Sequence, residues 1–453
     1  MIRATADRIG DRSVTALGPA DYRTMPTPDS IQRIYLLLLF GNTLAASFIW
    51  GINTIFLLDA GLSNLQAFAA NAFFTAGMVV FEVPTGVIAD TVGRRASYLL
   101  GTATLIVTTL LYVVLWKSGG PFWAWAVVSA LLGLGFTFFS GAVEAWLVDA
   151  LQATGFEGRL ESVFGRGAIV TGVAMLGGSV SGGYLAQATD LGVPYLLRSL
   201  VLGVTFVVAF VQMQDIGFTP DRQGRFLEKT RSIVSASIEY GWRVPAVKWS
   251  MLAAPFTGGV NMYGFYALQP YLLELHGDRR AYGIAGLAAA VVAGAQILGG
   301  LAAPQIRRLF ARRTSALLAG TLGSVLCLAL IGLTGRFKVV LGLVVVWGLL
   351  FAALMPIRQA YLNGLIPSRE RATILSFDSL MGSTGGVAIQ PALGRAADVW
   401  SYGTSYVIGA GIGALALPFI ALARRLNVPA DQANQVKQAF VGGSSDESSQ
   451  TPR

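Results

Sequence analysis

The amino-acid sequence predicts an all-α integral membrane protein in which twelve transmembrane helices form two pseudo-symmetric six-helix bundles. The chain of 453 residues is 54% hydrophobic and 13% charged, with a mean hydropathy of +0.60. The core of a soluble protein cannot bury that much apolar surface, so the bilayer must solvate it. In addition, apolar runs of about 20 residues, each long enough to cross roughly 30 Å of hydrocarbon, recur along the whole chain.

Twelve such runs follow one another, separated by polar loops. The first is too long for the apolar region of a signal peptide and lacks an obvious cleavage site, so it should remain as helix 1. The predicted spans are 34–58, 65–88, 97–116, 122–147, 165–186, 195–212, 249–273, 283–303, 315–333, 339–362, 372–396 and 402–423.

The longest polar interruption, residues 213–248, divides the twelve spans into two groups of six. We therefore predict a cytoplasmic N-terminal segment, an N-terminal bundle, a cytoplasmic linker, a C-terminal bundle and a cytoplasmic tail, with the bounds 1–33, 34–212, 213–248, 249–423 and 424–453. Within the linker, residues 227–242 fit a short helix on the membrane surface and a solvated connection equally well.

Lysine and arginine distribute unequally between the two sides of the predicted membrane domain. They are frequent in the N-terminal segment, the even-numbered loops and the tail, whereas the other side carries six: Lys117, Arg198, Arg279, Arg280, Arg336 and Lys338. The positive-inside rule therefore predicts that both termini are cytoplasmic. The same distribution explains the net charge of +9, and without interleaved aromatic residues it does not indicate nucleic-acid binding.

The loop between the second and third spans carries the most informative motif, with the spacing G-x-x-x-D-x-x-G-R-R. Its residues are Gly86, Asp90, Gly93, Arg94 and Arg95. Gly86 allows close helix approach, Asp90 can pair with Arg94 or cap a helix, and Gly93 permits a tight turn.

This motif resembles the loop between helices 2 and 3 of the major facilitator superfamily. The resemblance implies a transporter that works by alternating access around a site between its two halves. Asp149, at the end of the fourth span, resembles the acid that joins Asp90 and Arg94 in a cytoplasmic gate of that family.

Weak internal repeats support a duplicated template. The segment beginning Arg94-Arg95 is echoed by the one beginning Arg312-Arg313, and Glu144-Ala-Trp-Leu by Gln359-Ala-Tyr-Leu. In the fifth span, the glycine-rich run 172–183 resembles a motif of antiporters in the family, with Ser179 in place of its usual proline. Close helix packing by small residues is the alternative interpretation.

Five ionisable residues inside predicted spans are singled out here, because a charge within the membrane costs roughly 2.5–3.5 kcal/mol. The repeat aligns Arg166 with Asp378 and places Arg358 beside the counterpart of Glu144. This predicts two buried ion pairs of reversed polarity, Glu144 with Arg166 and Arg358 with Asp378. Structural neutralisation is their simplest role.

Glu82, the fifth of these residues, has no basic partner on its own or a neighbouring span. Burial without a partner favours the protonated form of an acid, as a proton carrier requires. Glu82 is therefore the first candidate for proton coupling, with Glu144 and Asp378 as further candidates. A polar contact between the halves is the alternative role for Glu82.

Aromatic and amide side chains on spans 1, 4, 7 and 10 are candidates to line a substrate cavity, and they suit a weakly polar, amphipathic substrate. Helix packing is the alternative for each of them. The candidates are Asn42, Trp50, Asn53, Trp146, Asn261, Tyr263, Tyr266, Gln269, Gln359 and Tyr361.

The sequence therefore predicts a proton-coupled plasma-membrane exporter of small amphipathic or drug-like compounds. The alternative is an uptake symporter or facilitative uniporter of a small polar metabolite, such as a sugar or an organic acid. One histidine and one cysteine, His276 and Cys327, offer neither a catalytic centre nor a metal site, so no enzyme and no cofactor is expected. The expected partners are the substrate, protons and lipid, and the expected state is a monomer.

Overall fold

A computed structural model describes residues 26–220, 243–366 and 371–432, except for the side chains of residues 371–373 and 376. These residues form fifteen α-helices and a short 3₁₀ turn, Pro429–Asp431. In the N-terminal half the helices are α1 Pro28–Trp50, α2 Asn53–Asp59, α3 Asn64–Thr91, α4 Arg94–Ser118, α5 Phe122–Thr137, α6 Ala142–Ala153, α7 Leu160–Ala188 and α8 Val193–Gln212. In the C-terminal half they are α9 Pro245–His276, α10 Tyr282–Arg308, α11 Arg313–Leu333, α12 Phe337–Leu365, α13 Arg371–Val399, α14 Tyr402–Ala414 and α15 Ala416–Arg425.

The helices confirm the predicted all-helical membrane fold. Within the described ranges, ten segments are long and apolar enough to cross a membrane, and α5 with α6, like α14 with α15, forms one such segment. The other two predicted spans coincide with α9 and α13, which have 32 and 29 residues but fall outside those ten. Both contribute polar residues to the interior of the C-terminal half, as described below.

Two faces of the molecule are useful for orientation. We call the face with the start of α1 and the end of α15 the terminal face, and the face with the end of α1 and the start of α3 the far face. The predicted surface helix at 227–242 lies outside the described residues. So do most of the predicted N-terminal segment and tail.

The two halves repeat the same helix packing. In the N-terminal bundle α1 packs on α7, α3 on α5 and α4 on α8. The corresponding contacts of the C-terminal bundle are α9 on α13, α10 on α12 and α11 on α14. Between the bundles, α3 packs on α13 and α7 on α10. This arrangement has the internal pseudo-symmetry expected of a duplicated template.

Glycines in α7 and α13 allow unusually close contact at corresponding places. A Cβ atom on Gly182 would lie 1.9 Å from the carbonyl oxygen of Phe48 in α1, and one on Gly385 would lie 1.9 Å from that of Pro255 in α9. No larger residue fits at either position without moving a helix. Close packing of α7 on α1 therefore explains why a glycine stands at position 182 of the glycine-rich run.

The bundles meet at the far face and separate toward the terminal face. Asn64, Phe68, Thr75, Glu82 and Gly86 lie within roughly 40° of one another on α3, at about 100° per residue. The first three lie beside glycines of α13, with Phe68 Cδ2 2.8 Å from a Cβ built on Gly394. Farther along the helix Glu82 is exposed and a Cβ on Gly86 meets no atom within 4 Å. A cleft therefore opens between the bundles toward the terminal face, and the close approach expected at Gly86 is not made in this conformation.

Candidate functional site

A cavity of about 710 Å³ lies within the C-terminal bundle. Helices α9 to α13 and α15 line it, and Trp50 from α1 closes one end. Trp50 stacks on Phe265 with ring centroids 4.4 Å apart, so aromatic surface from both bundles meets there. Uncharged polar side chains such as Thr257, Gln296 and Ser383 alternate with apolar ones around the wall. Its size and mixed lining fit a small amphipathic molecule.

Five of the predicted cavity residues line this cavity: Trp50, Asn261, Tyr266, Gln359 and Tyr361. Of the others, Asn42 is half-buried in α1 and Asn53 hydrogen-bonds Asn71 at 2.9 Å. Trp146 is buried and donates to the Gln214 carbonyl at 2.7 Å.

Tyr263 and Gln269, the remaining two candidates, have structural positions. The buried Tyr263 hydroxyl is 2.5 Å from Ser405 Oγ, inside the C-terminal core. Gln269 Oε1 accepts from the backbone N–H of Thr54 at 2.8 Å, and its Nε2 donates to the Trp50 carbonyl at 2.9 Å. Gln269 thus joins the two bundles at the far face instead of facing the cavity.

The predicted pair of Arg358 and Asp378 is formed and borders the cavity. NH1 and NH2 of Arg358 each donate to one Asp378 oxygen at 2.5 Å. NH2 also lies 3.3 Å from the Ser250 carbonyl. Bidentate geometry of this kind is the strongest form of an arginine–carboxylate contact. The pair links α9, α12 and α13 at the wall of the cavity.

The prediction of a buried pair between Glu144 and Arg166 is wrong for this conformation. No ion pair joins them within 4.0 Å among the described residues, and both side chains are exposed. The reason is local: the fourth span breaks after Thr137, and Glu144 lies in the first turn of the new helix α6. Because two hydrated charges gain little free energy from pairing, little favours an ion pair between Glu144 and Arg166.

Glu82 lies on the α3 face that borders the cleft. Its Oε1 accepts from the hydroxyl of Ser140 at 2.5 Å, and Ser140 belongs to the break between α5 and α6. No basic side chain of the described residues lies within 4.0 Å of its carboxylate, as the sequence suggested. The expected burial is not met here, because the side chain is exposed.

The residues of the motif loop cluster at the terminal face. Arg94 NH1 contacts Asp90 Oδ1 at 2.5 Å, and Arg94 Nε lies 3.9 Å from Asp149 Oδ2. Gly93 has φ +132°, a value that side chains rarely adopt. All of these residues belong to the N-terminal bundle, so in this conformation the cluster links α3, α4 and α6 and does not bridge the bundles.

Two acids that the sequence analysis missed cap helices at the terminal face. Asp215, just beyond α8, accepts from the backbone N–H of Arg95 at 2.9 Å. Asp431, beyond α15, is fully buried and accepts from the backbone N–H and the hydroxyl of Thr314, both at 2.7 Å. Each acid follows the last helix of its bundle. It accepts a hydrogen bond from a backbone N–H group in the first turn of that bundle's third span, α4 or α11. The echo between Arg94-Arg95 and Arg312-Arg313 marked the two helix starts, but only the fold shows what caps them.

Asp398 and Tyr402, also missed, close the far face. The Asp398 oxygens accept from the backbone N–H groups of Asn64 and Leu65, both at 2.8 Å, and the Tyr402 hydroxyl donates to Asn64 Oδ1. A C-terminal acid therefore sits at the N-terminus of α3 in the other bundle, where the helix dipole favours negative charge.

Arg198 has a different environment from the one predicted. The sequence analysis counted it among loop residues, but it is 2% exposed inside α8. Its Nε donates to Thr109 Oγ1 at 3.1 Å, and the guanidinium lies 5.6 Å from the centre of the Phe136 ring. The predicted span 195–212 already contained Arg198, so counting it among the loop cations was wrong, and the fold shows that it is buried within the bundle.

The family of the chain is shown by its match to the model of the Major Facilitator Superfamily, over residues 35–311 and 282–444. The chain belongs to this family and is a membrane transporter of that type. An uncharacterized MFS-type transporter of Methanocaldococcus jannaschii is 23% identical over 196 residues, or 43% of this chain and 49% of the relative. That alignment spans about half of the relative's length.

Solved transporters share the fold. The nucleoside transporter NupG superposes with a TM-score of 0.70 at 12% identity, over 87% of this chain and 99% of NupG. A bacterial homologue of the human lysosomal transporter Spinster, in an inward-facing and unoccupied conformation, gives 0.67 at 16% identity, over 90% and 99%. A D-xylose-proton symporter gives 0.60 at 15% identity, over 86% and 97%. At these identities the likeness concerns the fold alone.

Proposed function

We propose that this transporter exports small amphipathic compounds from the cytoplasm across the plasma membrane in exchange for protons. The observation that carries the proposal is the cavity in the C-terminal bundle, whose size and aromatic end suit such a substrate. Both termini are then cytoplasmic, as the positive-inside rule predicts, and the protein acts as a monomer with domain bounds near 34–212 and 249–423.

With this orientation the cleft opens to the cytoplasm and the far face is the external one. Alternating access requires the opposite state, in which the cytoplasmic side closes. We assign that closure to the cluster of Asp90, Arg94 and Asp149, supported by their contacts at 2.5 and 3.9 Å. Asp90→Asn should abolish transport with near-normal expression, and full activity of that variant in proteoliposomes would contradict the gate.

Glu82 is the proposed proton carrier. Its exposure to the cleft, with no basic side chain of the described residues within 4.0 Å of its carboxylate, supports proton exchange with the cytoplasm in this conformation. In the opposite state the cleft closes around the same face of α3 and removes water from Glu82, so the surroundings of its carboxylate change between the two states. Glu144, which is also exposed and lies four residues beyond Ser140, is the second candidate.

Proteoliposomes with an imposed pH gradient test the direction of coupling. An antiporter accumulates substrate in the acidic compartment, and a symporter accumulates it in the compartment that protons enter. A panel of amphipathic compounds should accumulate inside vesicles with an acidic lumen, and reversing the gradient should drive them out. Protein-free vesicles control for passive partition of weak acids and bases. Accumulation in vesicles with an acidic exterior would instead establish the uptake symporter.

A polar metabolite remains the second candidate substrate, because one specific observation favours it. The cavity wall contains a bidentate ion pair and several uncharged polar side chains, which a purely apolar compound would leave without partners. Competition of unlabelled sugars and organic acids against a transported amphipathic compound distinguishes the two classes.

A further inference from the structure

We infer that the substrates of this transporter carry a carboxylate at one end, which Arg358 binds, and an apolar body at the other. The inference rests on the proposal that the cavity of the C-terminal bundle is the substrate site, and it narrows the class of molecule that the site accepts.

The charges that border the cavity favour an anion. Among the described lining residues, Arg358 and Asp378 are the charged ones, and they are not equally accessible. The side chain of Arg358 is 26% exposed and that of Asp378 is 8% exposed. A molecule in the cavity therefore meets the guanidinium before the carboxylate. Both Asp378 oxygens also face the arginine, so a cationic group finds no free acid there.

Arg358 keeps donors for a second acceptor. A guanidinium has five N–H donors, and the described residues accept three contacts from it, two at Asp378 and one at the Ser250 carbonyl. The Nε–H and one N–H of NH1 stay available. A further carboxylate can therefore bind without breaking the existing pair, because guanidinium donors match carboxylate geometry. Asp378 then acts as a positioning residue that orients the guanidinium.

Two buried donors on α12 have no acceptor and also border the cavity. Tyr361 is 0% exposed and Trp347 is 4% exposed, and neither the Tyr361 hydroxyl nor Trp347 Nε1 has a hydrogen-bond partner among the described residues. A buried donor without a partner is costly. Tyr361 follows Arg358 by three residues on α12, so the two lie on the same side of the helix. An oxygen-rich group placed beside Arg358 and Tyr361 can accept hydrogen bonds from both of them.

The opposite end of the cavity is aromatic. Trp347 precedes Arg358 by eleven residues, about 16 Å along the helix axis, and Phe351 lies between them on the lining. Trp50 and Phe265 stack at the end formed by α1 and α9. The apolar body of the substrate therefore points toward the far face, and the carboxylate points toward the terminal face.

Binding of matched compounds to the purified full-length protein tests the inference. Isothermal titration calorimetry would compare amphipathic carboxylates of increasing length, such as 4-phenylbutyrate, each with its amide and its amine. At least one acid should bind ten times more tightly than its amide, and no amine should bind more tightly than its acid. If no acid binds better than its amide, or an amine binds best, the inference is wrong.

Variants locate the binding group. Arg358→Gln, and the double variant with Asp378→Asn that avoids a stranded carboxylate, should reduce acid binding to the level of the amide. Asp378→Asn alone keeps one oxygen that can orient the guanidinium and removes a negative charge beside the bound carboxylate, so it should tighten acid binding several-fold. Arg395→Gln, an exposed arginine of α13 outside the cavity, is the matched control and should change nothing. Unchanged acid binding in the folded double variant would overturn the role of Arg358.

These measurements need no proton gradient. A protein that binds the acids through Arg358 but fails to accumulate them in pH-driven vesicles keeps this inference and loses the proposed export. The reverse result, pH-driven accumulation of amines with no acid binding, keeps the transport function and removes the inference.

Discussion

The two bundles share one helix arrangement but differ in how they hold the ionisable residues that were predicted to couple protons or to form buried ion pairs. In the C-terminal bundle, Arg358 and Asp378 form a bidentate pair at the cavity wall, with the acid 8% exposed. In the N-terminal bundle, Glu82, Glu144 and Arg166 are exposed and none of them pairs with another. The shared template therefore fixes where helices pack, whereas the local helix breaks and the cleft decide which charges are buried.

This difference indicates a division of labour, which is our central claim. Paired and partly buried charges suit a permanent binding wall, because their geometry is fixed. Exposed acids without an ion pair among the described residues, on the face that opens and closes, suit proton exchange because their hydration changes with conformation. We propose that the C-terminal bundle binds the substrate and that the N-terminal bundle couples it to protons.

The largest difference in stability is expected between a variant without Arg358 and a variant without Arg166. Arg358→Gln strands the buried Asp378 and should lower the free energy of unfolding by about 3–5 kcal/mol, whereas Arg166→Gln should stay within about 0.5 kcal/mol of the parent, as exposed substitutions do. Thermal unfolding in detergent measures both. The double variant Arg358→Gln/Asp378→Asn should recover part of the loss. Equal losses for the two single variants would remove the contrast between the bundles.

The joint between the bundles should depend on Asp398. Asp398→Ala removes two hydrogen bonds from the start of α3 and should weaken closure of the far face by about 2–3 kcal/mol. Spin labels at Ser118 and Lys338, both exposed near that face, report the distance between bundles in a background without Cys327. The distribution should shift to longer distances.

Asp278→Ala is the control for that experiment, because Asp278 accepts a hydrogen bond from the backbone N–H of Arg280 within its own loop. It should leave the distances unchanged. If Asp398→Ala also leaves them unchanged, other contacts such as Gln269 hold the far face closed.

The two capping acids should differ by a smaller amount in their contribution to the free energy of unfolding. Asp431→Ala removes a buried acid with two contacts to Thr314, and Asp215→Ala removes an exposed one. We expect losses of about 2 and about 1 kcal/mol, the range of helix N-caps. Urea unfolding in detergent measures them. A larger loss at Asp215 would show that burial does not set the strength of these caps.

Hydropathy predicted the spans well because a bilayer admits few alternatives to helices of this length. The Arg358 and Asp378 pair was also predictable, since the repeat placed two opposite charges on adjacent spans. Glu144 and Arg166 followed the same logic and failed, because the break after Thr137 and the open cleft leave both hydrated. The roles of Gln269 and Asp398 could not be predicted, since both contact residues more than 200 positions away.

Side-by-side transport by Glu82→Gln and by Arg358→Gln/Asp378→Asn tests the division of labour most directly. For one transported compound, proteoliposomes would report accumulation driven by a pH gradient and exchange without a gradient. We predict that Glu82→Gln loses the accumulation and keeps the exchange, and that the Arg358 double variant loses both. Accumulation by Glu82→Gln at the parent level would remove Glu82 as the proton site. If Glu82→Gln/Glu144→Gln also accumulated the compound at the parent level, the claim would be contradicted, because neither acid of the N-terminal bundle would then carry the proton.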